Sequence, residues 1–182
     1  PPTHKKQTGG SGQYARVEGY IEPFDGDFEF VNDVRGGAIP TEYIPACEKG
    51  FRAMLPRGPY VGYPVQGVRV LLEDGNFHPV DSSDMAFQAA ARGAFRQVYP
   101  QGRPIVLEPV MLVSVEGPSQ YQGEIMGTLM QRRGIVVGTT EDEGFVRIDA
   151  DVPLAEMFGY ATVLRSGTQG KGTFTMEFSH FA

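Results

Sequence analysis

The stretch MLVSVEGPSQYQGEIMGTLMQRRG, residues 111–134, decides how the second half of this chain is read. Met111, Val113 and Val115 alternate with Leu112 and Ser114, the period of a strand with one buried face. Beyond Pro118 the period changes to that of a helix, with Tyr121, Ile125 and Leu129 on one side. Ser119 and Gln122 have the spacing of a capping box, Arg132 and Arg133 stand where cations suit the last turn, and Gly134 is placed to stop the helix.

Working outward, Ile135 to Thr139 reads as a strand, and after the acidic turn Glu141-Asp142-Glu143-Gly144 a second strand follows. In it Val146, Ile148, Ala150 and Val152 face inward, with Arg147, Asp149 and Asp151 outward. Pro153 opens a helix predicted to place Leu154, Met157, Ala161 and Leu164 on one face, with Arg165 near its end and Gly167 just beyond. Phe174, Met176 and Phe178 alternate with Thr175 and Glu177 in a closing strand. The order βαββαβ is the ferredoxin-like arrangement, in which two helices cover one face of a four-stranded sheet.

The first half is also mixed. Ala15, Val17 and Ile21 alternate with Arg16, Glu18 and Glu22 in one strand; Phe28 and Phe30 mark a second, and Val68, Val70 and Leu72 a third. Ile44, Cys47, Phe51 and Met54 fit a helix capped near Thr41. Phe87, Ala91, Ala94, Phe95 and Val98 fit another, capped by Asp81, Ser82 or Ser83. Tyr99-Pro100-Gln101-Gly102-Arg103-Pro104 breaks that helix and serves as the boundary, so two α+β domains are expected, residues 1–103 and 104–182.

Composition narrows the function classes. Of 182 residues, 41% are hydrophobic and 21% charged, which is globular and rules out disorder as the main state. Lys and Arg number 16 against 22 Asp and Glu, a net −6, so any nucleic-acid contact has to be local rather than carried by a sea of positive charge. The acidity lies mainly in residues 104–182. One cysteine, Cys47, excludes an intramolecular disulfide and a multi-cysteine zinc site. The absence of a long apolar run or a leader leads to the expectation of a cytoplasmic protein that does not contact membranes. Both ends read as cut, the mark of a fragment; the oligomeric state is left open.

Several constellations weigh differently. Gly167-Thr168-Gln169-Gly170-Lys171-Gly172-Thr173 superficially suggests a P-loop, yet Arg165 stands where the first Gly is required and Gly172 where Ser or Thr would hold magnesium. It reads instead as a helix stop. His78, Asp81, Ser82 and Ser83 are the residue types of a hydrolase triad, but within six positions they are better explained as a loop and a helix cap. His4, His78 and His180 lack ligand spacing, so no metal is expected, and Cys47 lies on an apolar helix face as a core residue rather than a nucleophile. The run from His4 to Tyr14 has Gly9, Gly10 and Gly12 around Ser11, next to Lys5 and Lys6. Such a tip either lets backbone N–H groups approach a phosphate or sugar, with Gln13 addressing a base edge or 2′-hydroxyl, or is a flexible hairpin or linker. Gly75-Asn76-Phe77-His78-Pro79 is a second tip with the same ambiguity.

Longer strings carry a resemblance. The run from His4 to Tyr14, Gly36-Gly37-Ala38-Ile39-Pro40 with Glu42-Tyr43-Ile44-Pro45-Ala46, Val80-Asp81-Ser82-Ser83, Leu107-Glu108-Pro109-Val110-Met111, Arg132-Arg133-Gly134, Pro153-Leu154-Ala155-Glu156-Met157-Phe158-Gly159-Tyr160-Ala161 and Thr175-Met176-Glu177-Phe178 resemble translation elongation factor G, in the family's order and over nearly the whole chain. The resemblance is to the family's fourth and fifth domains. It implies a ribosomal-protein-like β-α-β domain that occupies the decoding region of the A site, then a ferredoxin-like domain that touches the large subunit. It implies that Gly10, Ser11, Gly12, Gln13 and His78 meet RNA at the tip, that the partner is the ribosome with its messenger–transfer RNA duplex, and that translocation is promoted sterically. It further implies no enzyme activity and no cofactor in this chain, with GTP and magnesium bound by an upstream GTPase domain of the parent protein. Two departures stand out: Ser11 replaces the family's usual Arg and Ala15 its usual Gly. They leave open a paralogue working in ribosome recycling or ribosomal protection. A stand-alone protein-interaction module is the alternative from another class, and a hydrolase a distant third.

Overall fold

The structure, a computed structural model, describes residues 3–6 and 12–182, with side chains from residue 12 onward. Gly10 and Ser11 lie outside the described residues. The chain divides into two compact units, Pro1–Ile105 and Val106–Ala182, each with its own four-stranded sheet and apolar core.

The first unit contains β1 (Thr3–Lys6), β2 (Gln13–Pro23), β3 (Phe28–Asn32), α1 (Ile44–Arg52), β4 (Val68–Asn76) and α2 (Asp84–Val98). Its sheet runs β1-β2-β4-β3; only β3 and β4 are parallel, joined through α1 in a β-α-β crossover. Ala15, Val17, Val70 and Leu72 cover one sheet face and pack on Cys47 and Phe51 of α1 and Phe87, Ala91 and Phe95 of α2. The strand β1 was not legible as a strand in the sequence: only four residues long, it carries no apolar alternation, and its pairing with β2 defines it.

An irregularity in β4 sets the faces. Glu18 pairs with Asp74 and Gly19 with Leu72, so Glu73 is an extra residue. A one-residue bulge reverses which side chains face the core. Gly75 above it and Leu72, Val70 and Val68 below it therefore all point to the helices. At Gly75 a Cβ would come within 2.6 Å of the Ile39 side chain and 2.4 Å of the Arg16 carbonyl oxygen, so only glycine admits Ile39 under the end of the strand.

The second unit contains β5 (Pro109–Pro118), α3 (Gln122–Gln131), β6 (Ile135–Asp142), β7 (Phe145–Pro153), α4 (Tyr160–Gly167) and β8 (Thr173–Phe181). The fully antiparallel order β6-β7-β5-β8 is the ferredoxin-like arrangement read from the sequence. Val113, Val115, Ile148, Ala150 and Val152 pack beneath Ile125, Leu129, Tyr160 and Leu164.

Local details correct the sequence reading. The capping box at Ser119 does not form, because Ser119–Tyr121 is a 3-10 turn and the Gln122 N–H is already donated to the Ser119 carbonyl. Thr41 fails as a cap for the same reason: Thr41–Tyr43 is a 3-10 turn whose carbonyl takes the Ile44 N–H. At the end of α3, Arg133 rather than a glycine takes the left-handed backbone (φ 58°), and the Gly134 N–H closes the helix on the Leu129 carbonyl at 2.9 Å. Gly134 is needed for close approach, since a Cβ would lie 2.5 Å from that oxygen.

The continuous helix expected from Pro153 is split. Leu154–Glu156 is a 3-10 turn, Gly159 turns left-handed (φ 77°), and α4 starts at Tyr160. Ala161 is exposed and the buried position is Tyr160. Its hydroxyl shares a 3.1 Å hydrogen bond with Thr128, and its ring meets Phe174 edge-on and lies under the Arg132 guanidinium. The glycine-rich segment after α4 is the helix stop the sequence suggested: buried Thr168 donates to the Leu164 carbonyl and accepts from the Gly172 N–H.

Candidate nucleic-acid interface

Strand direction brings three loops to one end of the first unit. β1 ends there, β2 begins there, and the parallel strands β3 and β4 both run toward it. Arg16 of β2 lies opposite Asn76, the last residue of β4, whereas Gln13 lies opposite Lys6. The β1–β2 hairpin thus projects three residues further, about 10 Å at the rise of an extended strand.

Residues 77–83 take over as the neighbour of β2 where β4 stops. The Tyr14 N–H donates to the Asp81 carbonyl at 2.9 Å, and the Ser82 hydroxyl donates to the Tyr14 carbonyl at 2.7 Å. The same hydroxyl accepts the His78 N–H at 2.8 Å. One serine side chain therefore ties the hairpin carrying Gly12 and Gln13 to the loop carrying His78. Below it the Tyr43 ring stacks on Phe87, 4.9 Å between centroids, and the Tyr43 hydroxyl donates to the Ser82 carbonyl. Of the three cap candidates, Ser83 is the one that caps α2, accepting the Ala86 N–H at 3.2 Å. Ser82 is left for the tie.

His78 is half exposed, and its ring is oriented from within the loop. Nδ1 accepts the backbone N–H groups of Val80 and Asp81, each at 3.2 Å. In the neutral ring this leaves the proton on Nε2, so the free edge of the imidazole is a donor. Gln13 is partly buried at the start of β2. The structure thus places Gly12, Gln13 and His78 at one end, on loops that are bonded to each other.

Sequence reasoning missed Tyr14, Asp81 and Ser82 as the parts that hold these loops together. The signal was the Ser82-Ser83 doublet: one helix has one N-cap, so a second serine beside it is free for another task. The same bonds dispose of the hydrolase constellation. The Ser82 proton is committed to a carbonyl, and the His78 Nδ1 lone pair to two amides, so the pair has no nucleophile–base contact. Cys47 is fully buried, and desolvation pushes its thiol up to about 12, as a core residue requires.

Comparison with known proteins agrees with this architecture. The family model described as elongation factor G, domain IV matches residues 2–103, and the elongation factor G C-terminus model matches residues 105–182. The chain is 60% identical over 180 residues to elongation factor G 1 of Treponema pallidum and 62% identical over 180 residues to elongation factor G 1 of Syntrophus aciditrophicus, covering 98% of this chain in each case. It spans about a quarter (26%) of the length of these relatives. A crystal structure of a protein from Thermus thermophilus superimposes with a TM-score of 0.92 at 39% identity, over 100% of this chain and 27% of that one. Among the described residues, no helix is long and apolar enough to cross a membrane.

Proposed function

The chain belongs to the elongation factor G family, over that family's domain IV and C-terminal region, and from this we propose that it is the ribosome-binding part of a translational GTPase that promotes movement of messenger and transfer RNA. On this reading the tip formed by Gly10, Ser11, Gly12, Gln13 and His78 enters the A site, in the decoding region of the small ribosomal subunit, behind the moving codon–anticodon duplex. The second unit rests on the large subunit. GTP and magnesium belong to a domain upstream of these residues, and this chain makes and breaks no covalent bond.

The observation that carries the reading is the tie through Ser82, which turns two short loops into one projecting finger on a sheet-and-helix base. A-form RNA presents 2′-hydroxyls and base edges in a wide, shallow minor groove, which a slim element with donors at its end can follow. The His78 Nε2–H is such a donor. Occupation of the vacated site disfavours return of the duplex, so the finger acts by shifting a population toward the moved state.

The test is His78→Ala in the full-length protein that carries this chain. Loss of one hydrogen bond of about 1 to 1.5 kcal/mol in the moved state slows translocation five- to tenfold or so, with GTP turnover nearly unchanged. Equal loss of both rates refutes a role at the tip. Ser11 and Ala15, in place of the family's usual Arg and Gly, favour a second reading as a recycling paralogue. A subunit-splitting assay on the same protein separates the two, and failure to cosediment with ribosomes at physiological salt refutes both.

A further inference from the structure

The segment between β3 and α1, residues 33–40, reaches the same end of the first unit and is absorbed by none of the roles above. The Asp33 N–H continues the β3–β4 ladder onto the Leu72 carbonyl, and Ile39 is buried against Gly75, directly below the His78 loop. Between these anchors the chain makes a tight turn, with the Ala38 N–H donated back to the Arg35 carbonyl and both central residues left-handed, Gly36 at φ 62° and Gly37 at φ 69°. Both central glycines at positive φ make this a type I′ turn, held from behind by the Asn32 side chain, which accepts the Val34 N–H.

What the turn presents is a set of donors. Among the described residues the N–H groups of Gly36 and Gly37 have no acceptor, both residues are exposed, and a Cβ on either would meet nothing within 4 Å. No packing contact therefore calls for a bare backbone at these two positions. Beside them the Arg35 side chain is 86% exposed, and it donates to both carboxylate oxygens of the half-exposed Asp33, each at a long 3.4 Å. By contrast Arg16, on β2, is engaged with Glu18. Two exposed backbone donors without acceptors, next to a guanidinium, are the groups that bind a tetrahedral anion.

We propose that Arg35, Gly36 and Gly37 form a third contact of the finger, one that grips the sugar–phosphate backbone of RNA. This rests on the reading of the finger as an RNA-facing element and adds to it a different kind of contact. The Gln13 and His78 side chains offer donors suited to base edges and hydroxyls, whereas this turn sets a guanidinium beside two backbone amides, a combination suited to phosphate. For a chain of net charge −6, phosphate contacts have to be local, and this turn supplies one.

The experiment measures binding of the full-length protein to ribosomes across a salt series for the parent and for Arg35→Ala, Arg35→Gln and Arg35→Lys, with His78→Ala alongside. Loss of one phosphate contact in Arg35→Ala and Arg35→Gln flattens the dependence of log affinity on log salt by roughly 0.7 to 0.9, and Arg35→Lys restores it, because a point charge also neutralises a phosphate. Flattening on vacant small subunits assigns the phosphate to ribosomal RNA; flattening only on subunits loaded with messenger and transfer RNA assigns it to the moving duplex. A weaker affinity with an unchanged slope overturns the proposal, as does an unchanged slope where His78→Ala still slows translocation. If neither Arg35→Ala nor His78→Ala changes anything, the reading of the finger itself falls, and this contact with it.

Discussion

Replacing Ser82 by Ala removes the side chain that, among the described residues, joins the two tip loops. The hydroxyl donates to the Tyr14 carbonyl at 2.7 Å in a partly buried bond and accepts the His78 N–H at 2.8 Å in an exposed one. Each such bond contributes a net 0.5–1.5 kcal/mol or so, and the pair about 2 kcal/mol. A denaturant slope of about 1.5 kcal/mol/M in urea, reasonable for a unit of this size, converts that into a midpoint lowered by about 1.3 M. The chain has no tryptophan, so far-ultraviolet circular dichroism is the appropriate probe, with amide exchange of Tyr14 and His78 reporting the local opening. Ser82→Thr keeps the oxygen and is expected to recover most of the loss. Ser83→Ala is the control: it removes the α2 cap, costs about 1 kcal/mol, and leaves the Tyr14 and His78 amides protected. A Ser82→Ala midpoint within about 0.2 M of the parent, a difference of only about 0.3 kcal/mol, refutes the tie as an energetic link.

Three further outcomes follow from the geometry. Gly93→Ala, inside α2 where a Cβ meets nothing within 4 Å, stabilises the first unit by about 0.5–1 kcal/mol, whereas Gly75→Ala destabilises it by about 1–3 kcal/mol by colliding with Ile39 and the Arg16 carbonyl; thermal melts of the two variants should move in opposite directions. The Arg133 guanidinium hydrogen-bonds Glu108 and holds its carboxyl below the usual carboxylate range, so this pair's stabilisation is present above the unfolded-state pKa and is lost as pH falls through the folded one. Arg133→Ala is expected to return Glu108 to ordinary titration by carboxyl NMR, and its stability deficit to vanish in acid. Cys47 is expected to resist thiol reagents at neutral pH until the chain is unfolded, because its thiol is buried and pushed up to about 12; rapid labelling of the native chain contradicts this.

The second unit was largely legible because its periods are clean. A strand with one buried face shows itself by alternation, and Val146, Ile148, Ala150 and Val152 are buried as that alternation requires. Helix starts were less legible. Ser119 and Thr41 have the side chains of caps, but a preceding 3-10 turn had already used the amide in question, and nothing in the residue types distinguishes the two ways of entering a helix. The break at Gly159 was hidden for a related reason: a glycine within an apolar pattern is compatible with a helix until the backbone turns left-handed.

Residue pattern alone determined the two α+β units, the ferredoxin-like order of the second, and the presence of glycine-rich and His78-bearing turns, because periodicity and turn chemistry are local properties. Only the tertiary structure decided that Gln13, His78 and the Arg35-Gly36-Gly37 turn share one end of the first unit. That placement depends on strand direction and on the bulge at Glu73, and it depends on which of two adjacent serines caps the helix and which reaches across to Tyr14. These are pairings between residues up to 68 positions apart. Contacts at that range are set by how the sheet closes, and no short window of sequence records it.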